Sequence, residues 1–217
     1  MNVVSKIIKT LNAGIVNHGS AYFVVSGGSS PTSIYAALVA GDYDSHIDWS
    51  RVTITLVDER QTPENHDERN QKLIHDQLLQ GRVSAAKFLP LTDDMPIANL
   101  QRPFDVTLLG MGLDGHFASL FPSMIGSPAL SMKAKPGLIK TEPQGTPNWP
   151  RISMNLSMIT KSRLILLLAI GKEKQKVLYA AKKDRSLPIH HLISQTAKPV
   201  EVVSECHYAR VGGDTTS

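Results

Sequence analysis

The chain has 217 residues, 41% of them hydrophobic and 19% charged, which excludes a disordered or fibrous protein and is enough to bury a sizeable core. The 23 Lys and Arg against 19 Asp and Glu leave a net charge of +4; this suits an anionic ligand, but no clustered basic stripe of the kind a nucleic-acid surface needs is visible. The single cysteine, Cys206, excludes an internal disulfide framework and a cysteine-based zinc site, and it fits a reducing compartment.

Val3, Val4, Ile7, Ile8, Leu11 and Ile15 recur at helical spacing, so the chain is expected to open with an amphipathic helix. Polar residues interrupt Met1 to Asn12 too often for a signal-peptide core, and the longest aliphatic run, Leu164 to Ile170, falls far short of the roughly 20 residues a membrane span needs. A cytoplasmic protein with no membrane partner is the expectation.

Tyr22 to Val25 is a short apolar run that ends in Ser26-Gly27-Gly28-Ser29-Ser30-Pro31, followed by a helical pattern through Ile34, Tyr35, Ala37 and Leu38. Ser30 suits an N-cap and Pro31 a first helical position. The unit recurs. Val52 to Val57 ends at Asp58-Glu59-Arg60, and a helix is expected from about Glu68 to Leu79, stopped by Gly81. Val106 to Leu109 runs into Gly110-Met111-Gly112-Leu113-Asp114-Gly115-His116. Leu164 to Ala169 ends at Gly171, with a helix over Lys172 to Lys183 and a last short strand at Val200 to Val203. Strands alternating with helices predict an α/β fold with a parallel sheet covered on both faces, in which ligands gather beyond the carboxyl ends of the strands. Pro122 to Pro150 differs: six prolines, three glycines and little periodicity read as a long surface excursion, a binding loop or lid. Otherwise residues 1–217 read as one domain.

The strand ends carry the chemistry. At Ser26 to Pro31, glycines admit close approach of main-chain N–H groups and the helix start adds partial positive charge, which together suit an anion. No dinucleotide fingerprint G-x-G-x-x-G and no G-x-x-x-x-G-K-[ST] is read here; binding an anion and binding nothing stand about even. Asp58-Glu59-Arg60 is expected to be exposed, with Arg60 a bidentate partner for phosphate or carboxylate unless the run is simply solvated. In the third segment Asp114 and His116 are two apart, so in extended chain they point to one side; a carboxylate beside an imidazole fixes its tautomer and supports it as a base. Arg151 and Lys174 are cations that could reach a phosphate at neighbouring strand ends, or else ordinary surface residues. His190-His191 lack metal-ligand spacing, Cys206 and His207 are adjacent and so face opposite sides of a strand, and no G-x-S-x-G elbow occurs.

Taken together and in order, Ser26 to Pro31, Asp58-Glu59-Arg60 with Asn70 downstream, Phe104 to His116, Ala118-Ser119-Leu120-Phe121-Pro122, Arg151-Ile152-Ser153 and Gly171 to Lys174 resemble the 6-phosphogluconolactonase family. The resemblance implies a Rossmann-like three-layer sandwich similar to glucosamine-6-phosphate deaminase and ribose-5-phosphate isomerase. It implies metal-free hydrolysis of 6-phospho-D-glucono-1,5-lactone in the oxidative pentose phosphate pathway, with no cofactor. It makes His116 the catalytic histidine, supported by Asp114, and places Gly27, Gly28, Ser29, Ser30, Asp58, Arg60, Arg151 and Lys174 around the substrate. Phe117 stands where the family commonly has threonine, and Arg69 where serine commonly precedes the asparagine. The alternatives are a hexosamine-phosphate isomerase or deaminase, whose members typically carry tyrosine where this chain has Arg60, and a non-catalytic sugar-phosphate-binding protein.

Overall fold

The computed structural model describes residues 2–41, 43, 46–64, 66–95, 100 and 103–205; Cys206, His207 and Tyr208 lie outside them. The first helix, α1 (Val3–His18), begins where the Asn2 side chain accepts from the Ser5 N–H (2.8 Å) and ends at Gly19 in the left-handed region. Its apolar stripe, Val4, Ile7, Ile8 and Leu11, is fully buried against two central strands, which is the amphipathic helix that the periodicity predicts.

Five strands fall where the apolar runs place them: β1 (Ala21–Val25), β2 (Val52–Leu56), β5 (Phe104–Gly110), β8 (Ser162–Leu168) and β9 (Val200–Val203). With β4 (Lys87–Leu89), which the sequence reading missed, they form a six-stranded sheet in the order β4-β2-β1-β5-β8-β9, every pair parallel. Val106, Thr107, Leu108 and Leu109 are all fully buried. Successive strand residues face opposite sides, so β5 is covered on both faces, as a parallel sheet in an α/β fold must be. The remaining helices are α2 (Thr32–Ala40), α3 (Asn70–Gln77), α4 (Leu156–Ile159), α5 (Lys172–Ala181) and α6 (Pro188–Ser194). The helix expected over 68–79 is thus shorter at both ends, with Gly81 opening a 3₁₀ turn instead, and the one over 172–183 stops at Ala181.

A second sheet was not foreseen. β3 (Asp58–Arg60), β7 (Trp149–Met154) and β6 (Leu138–Gln144) form an antiparallel sheet in the order β3-β7-β6. Pro122 to Pro150 is therefore not a structureless excursion: 138–144 and the start of β7 lie inside it, paired with each other. β6 has no clean alternation of apolar and polar residues, because four of its seven residues are exposed or half-buried polar or proline positions, and so period-2 patterning gave no signal. Only Val57 separates β2 from β3; its N–H donates to the Val25 carbonyl (2.9 Å) and its carbonyl accepts from Met154 N–H (2.9 Å), so it joins the two sheets. Among the described residues no helix is long and apolar enough to cross a membrane.

Tyr35 of α2 is fully buried and its hydroxyl donates to the Ser26 carbonyl (2.6 Å); burial pushes its phenol far above the usual range, the hydrogen bond only partly opposing this. The bond ties α2 to the end of β1. Tyr35→Phe leaves a buried carbonyl without its partner and is expected to cost about 1–3 kcal/mol, read as a lowered denaturation midpoint; an unchanged midpoint would show that the carbonyl does not need this donor.

Candidate active site

In the order β4-β2-β1-β5-β8-β9 the chain builds outward from β1 in one direction and then, with β5, in the other. Such a switch point leaves a crevice beyond the carboxyl ends of the two central strands. Ser26 sits in that crevice. Its Oγ donates to the Leu108 carbonyl (2.9 Å) and accepts from Gly110 N–H (3.4 Å), so the loop after β1 and the loop after β5 are fastened together.

The turn that follows is shaped by close approach. A Cβ on Gly27 would lie 1.8 Å from Asn70 Oδ1, and Gly28 has φ +80°, a conformation that favours glycine. The N–H groups of Gly28, Ser29 and Ser30 meet no protein acceptor among the described residues. The helix begins at Thr32 with Pro31 as its cap and no side-chain cap bond, so Ser30 is not the N-cap that the sequence suggests. The Ser30 hydroxyl instead accepts from Lys174 Nζ (2.7 Å), which brings the start of α5 to the start of α2. Burial holds the Lys174 ammonium below its usual value.

Asp58 and Glu59 correct the expectation of an exposed charge run: both are buried. The reason is that β3 is paired along its length with β7 and each carboxylate has fixed partners. Asp58 accepts from Ser119 Oγ (2.6 Å) and lies 3.9 Å from Arg151 Nη1. Glu59 accepts from the N–H groups of Arg60 (2.7 Å), Asn70 (2.8 Å) and Gln71 (2.7 Å). It thereby caps α3 from outside the helix, where a negative charge is favoured. Burial pushes the Glu59 carboxyl up, and these three donors oppose it. The capped helix presents Asn70, whose Nδ2 donates to the Asp58 carbonyl (2.8 Å) while its buried Oδ1 has no partner.

Arg60 and Arg151 are directly opposite in the β3–β7 ladder, an arrangement that is destabilising for like charges unless something compensates. Compensation from the protein is incomplete. Arg60 Nη1 donates to the Glu68 carbonyl (2.5 Å) and Arg151 Nη2 to the Pro147 carbonyl (2.8 Å). The nearest carboxylate to Arg151, that of Asp58 at 3.9 Å, is beyond hydrogen-bond length, and both Nε groups are buried without partners. Burial, with the Arg60 charge adding to it, holds the Arg151 guanidinium below its usual value against the pull of Asp58.

Asp114 and His116 meet, but not in extended chain. They lie in a turn where Gly112 N–H donates to the His116 carbonyl (2.9 Å), and Asp114 Oδ1 contacts His116 Nδ1 (2.6 Å) while accepting from His116 N–H (3.1 Å). A Cβ on Gly112 would fall 2.3 Å from the imidazole, so this residue must be glycine for the pair to form. The bond and charge of His116 outweigh the upward push of burial and hold the Asp114 carboxyl below the usual range. Gly110, Gly112 and Gly115 do fall at G-x-G-x-x-G spacing after a strand, which corrects the expectation that the spacing is missing; no helix opens directly behind them, so the phosphate-binding helix of a dinucleotide site is lacking all the same. Ala118 follows at φ +49°, a strained conformation for a residue with a Cβ and one that recurs at functional sites.

One solvent-open cleft collects these groups: Gly27, Gly28, Ser30, Asp58, Arg60, His116 and Arg151 line it. Asp114 and Lys174 stand behind His116 and Ser30. The Ser29 side chain is not part of the lining. Ser26, Asn70, Met111 and Ala118 are, and were not singled out as site residues; the asparagine was visible only as a match downstream of Arg60. Phe117 is fully buried in the core, so that departure does not reach the cleft. Among the described residues no group of His, Cys, Asp and Glu side chains is placed to hold a metal ion. His190 and His191 lie in α6 and bond to the carbonyls of Ala181 and Arg185.

Comparison with known proteins gives a consistent picture. The profile of the family described as glucosamine-6-phosphate isomerases/6-phosphogluconolactonase matches residues 1–203. The chain is 33% identical over 208 residues to the 6-phosphogluconolactonase of Rhizobium meliloti (strain 1021), covering 88% of each. It is also 33% identical over 203 residues to that of Pseudomonas aeruginosa, covering 85% of this chain and 82% of the relative. The crystal structure of a 6-phosphogluconolactonase from Shewanella baltica OS155 superposes with a TM-score of 0.80 at 35% identity, over 92% of this chain and 90% of that one.

Gly27→Ala forces its methyl group into buried Asn70 and is expected to lower turnover about a hundredfold through displacement of the turn and to lower the denaturation midpoint, as overpacking does; wild-type turnover would show that the close approach is not needed. Asp114 gives a pH signature. Its folded value is depressed, so its stabilising contribution is present above the ordinary aspartate value and is lost as pH falls through the lower, folded one. Asp114→Asn is therefore expected to flatten the acid side of the stability curve, measured as the denaturation midpoint from pH 7 down to pH 3.

Proposed function

The chain belongs to the glucosamine-6-phosphate isomerase/6-phosphogluconolactonase family, and from that premise we propose that its cleft hydrolyses 6-phospho-D-glucono-1,5-lactone to 6-phospho-D-gluconate, as a carboxylic ester hydrolase. We read residues 1–217 as one catalytic domain, because both sheets contribute to the cleft. The observation that carries the reading is the Asp114–His116 couple at 2.6 Å opening on the same cleft as the glycine turn and two arginines.

A lactone carbonyl is already electrophilic, so a placed water and a base suffice, and the reaction as written calls on no metal. With Nδ1–H held by the Asp114 carboxylate, His116 Nε2 is the basic nitrogen, a tautomer fixed by its partner. Nε2 takes a proton from water as the water oxygen bonds to C1. The tetrahedral oxyanion forms among N–H donors, for which the Arg60 guanidinium that lines the cleft and the main chain of the loop after β5 are suited. Collapse breaks the bond from C1 to the ring oxygen, and the imidazolium returns its proton to that oxygen. The carboxylic acid then ionises.

The free N–H groups of the turn, Ser30 and Lys174 hold the phosphate, and Arg60, Arg151 and Asn70 contact the rest of the substrate. Two opposed guanidiniums with spare donors gain most from a ligand bearing negative charge or carbonyl oxygens. Grip on the phosphate is remote from C1 and orients the reacting carbon.

His116→Ala is expected to lower lactone hydrolysis by about 10²–10⁴-fold, measured as acid release from freshly made lactone above the spontaneous rate, with folding checked by circular dichroism. Turnover close to wild type would remove His116 from the reaction. Ammonia release from glucosamine 6-phosphate by the wild-type protein would instead assign the cleft to the deaminase branch.

A further inference from the structure

We propose that Phe121 is a positioning residue of the reaction, an aromatic wedge that fixes the plane of the His116 imidazole relative to Arg151. The proposal rests on the reading of His116 as the base. Phe121 lies five residues beyond the histidine and does not line the cleft. It is buried, and nothing in the proposed chemistry uses it.

Its surroundings are specific. The Phe121 and His116 rings have centroids 4.9 Å apart and are tilted by 34°, within the range of offset aromatic contact. The Arg151 guanidinium carbon lies 5.3 Å from the same Phe121 centroid, a cation–π distance. The far edge of the ring is closed by the turn between β6 and β7: a Cβ on Gly145 would come 2.9 Å from Phe121 Cε1, and 3.3 Å from Arg151 Nη2. That turn also supplies the Pro147 carbonyl that holds Arg151. One side chain thus touches the base, a substrate-facing cation and the hairpin that carries the cation.

The consequence is geometric first. Asp114 fixes one nitrogen of the imidazole but leaves the ring free to swing about that bond; the Phe121 ring removes the swing. It is electrostatic second, since the same ring lies at cation–π distance from the Arg151 guanidinium. The charged groups that share the cleft with the imidazole are Asp58 and Arg60 on β3 and Arg151 on β7, with Asp114 on its own loop. α6, packed on Gly115 through Ile189, contributes only His190 and His191, already bonded to carbonyls. All of these remain when Phe121 alone is changed.

Phe121→Leu keeps the apolar bulk and removes the ring. The expected result is a fall in kcat of about tenfold with KM changed much less. The His116 Cε1 proton loses its ring-current shift in NMR spectra. Gly145→Ala, whose methyl group presses on Phe121 from outside the cleft, is expected to lower kcat in the same sense. Wild-type kcat in Phe121→Leu, or a loss confined to KM, would overturn the role while leaving His116 as the base. If the wild-type protein hydrolyses no lactone, the earlier reading fails, and the NMR spectrum then decides this one: an identical His116 Cε1 proton shift in both proteins overturns it.

Discussion

Two guanidiniums set opposite each other in an antiparallel ladder are the constraint around which the rest of this site is arranged. Arg60, half-buried, and Arg151, buried, share a register position, so less water screens them than on an open surface. The surrounding residues answer in two ways. Asp58 sits near enough to lower the cost without forming a hydrogen-bonded pair, and main-chain carbonyls of Glu68 and Pro147 take one donor each. The balance is deliberately short of full satisfaction, in that both Nε groups stay unpaired. A protein that neutralised these cations completely with its own carboxylates would be more stable and would have nothing left with which to hold an anionic ligand.

This also explains why a second sheet exists. A six-stranded parallel sheet alone supplies a crevice with a glycine turn on one side and the loop after β5 on the other. It has no strand from which two cations could face that crevice together. β3 departs from the large sheet one residue after β2 and brings Arg60 with it; the hairpin β6–β7 brings Arg151. Glu59, lying between Asp58 and Arg60, faces away and caps α3, so the same three residues place a counter-charge, a helix with Asn70 and a cation.

What could be read from the sequence divides along physical lines. Four strands, β1, β2, β5 and β8, were legible because each is a mostly apolar run largely buried on both faces; β9 is a partly exposed edge strand marked only by its valines. The glycine turn and the loop to His116 were legible because close approach demands glycine whatever the surroundings. β3, β4 and β6 were not: they are short or polar-faced and owe their existence to partners distant in sequence. The burial of Asp58 and Glu59 was illegible for the same reason, since a charged run looks solvated until Ser119 and the start of α3 are known to satisfy it. The couple of Asp114 and His116 was legible as a pair, while its geometry, a turn closed by Gly112, was not. Arg69, the departure beside Asn70, is now placed: its Nε lies 3.9 Å from Glu59 Oε2, adding a fourth cationic or N–H neighbour to that buried carboxylate without entering the cleft.

The economy of the catalytic apparatus follows from the electrophile. An ester strained into a ring needs no nucleophilic side chain, and hence no elbow, no covalent intermediate and no second base to release one. Under the proposed reaction, a water is held at one carbon and its proton passes to the ring oxygen by way of a single imidazole, so the demand is for orientation rather than reactivity. The surroundings of His116 are built to that end: a left-handed Ala118 two residues beyond it, a glycine beside the imidazole, and a buried phenylalanine against the ring. The left-handed Ala118 costs local stability, while the glycine and the phenylalanine bound the space in which one ring can turn.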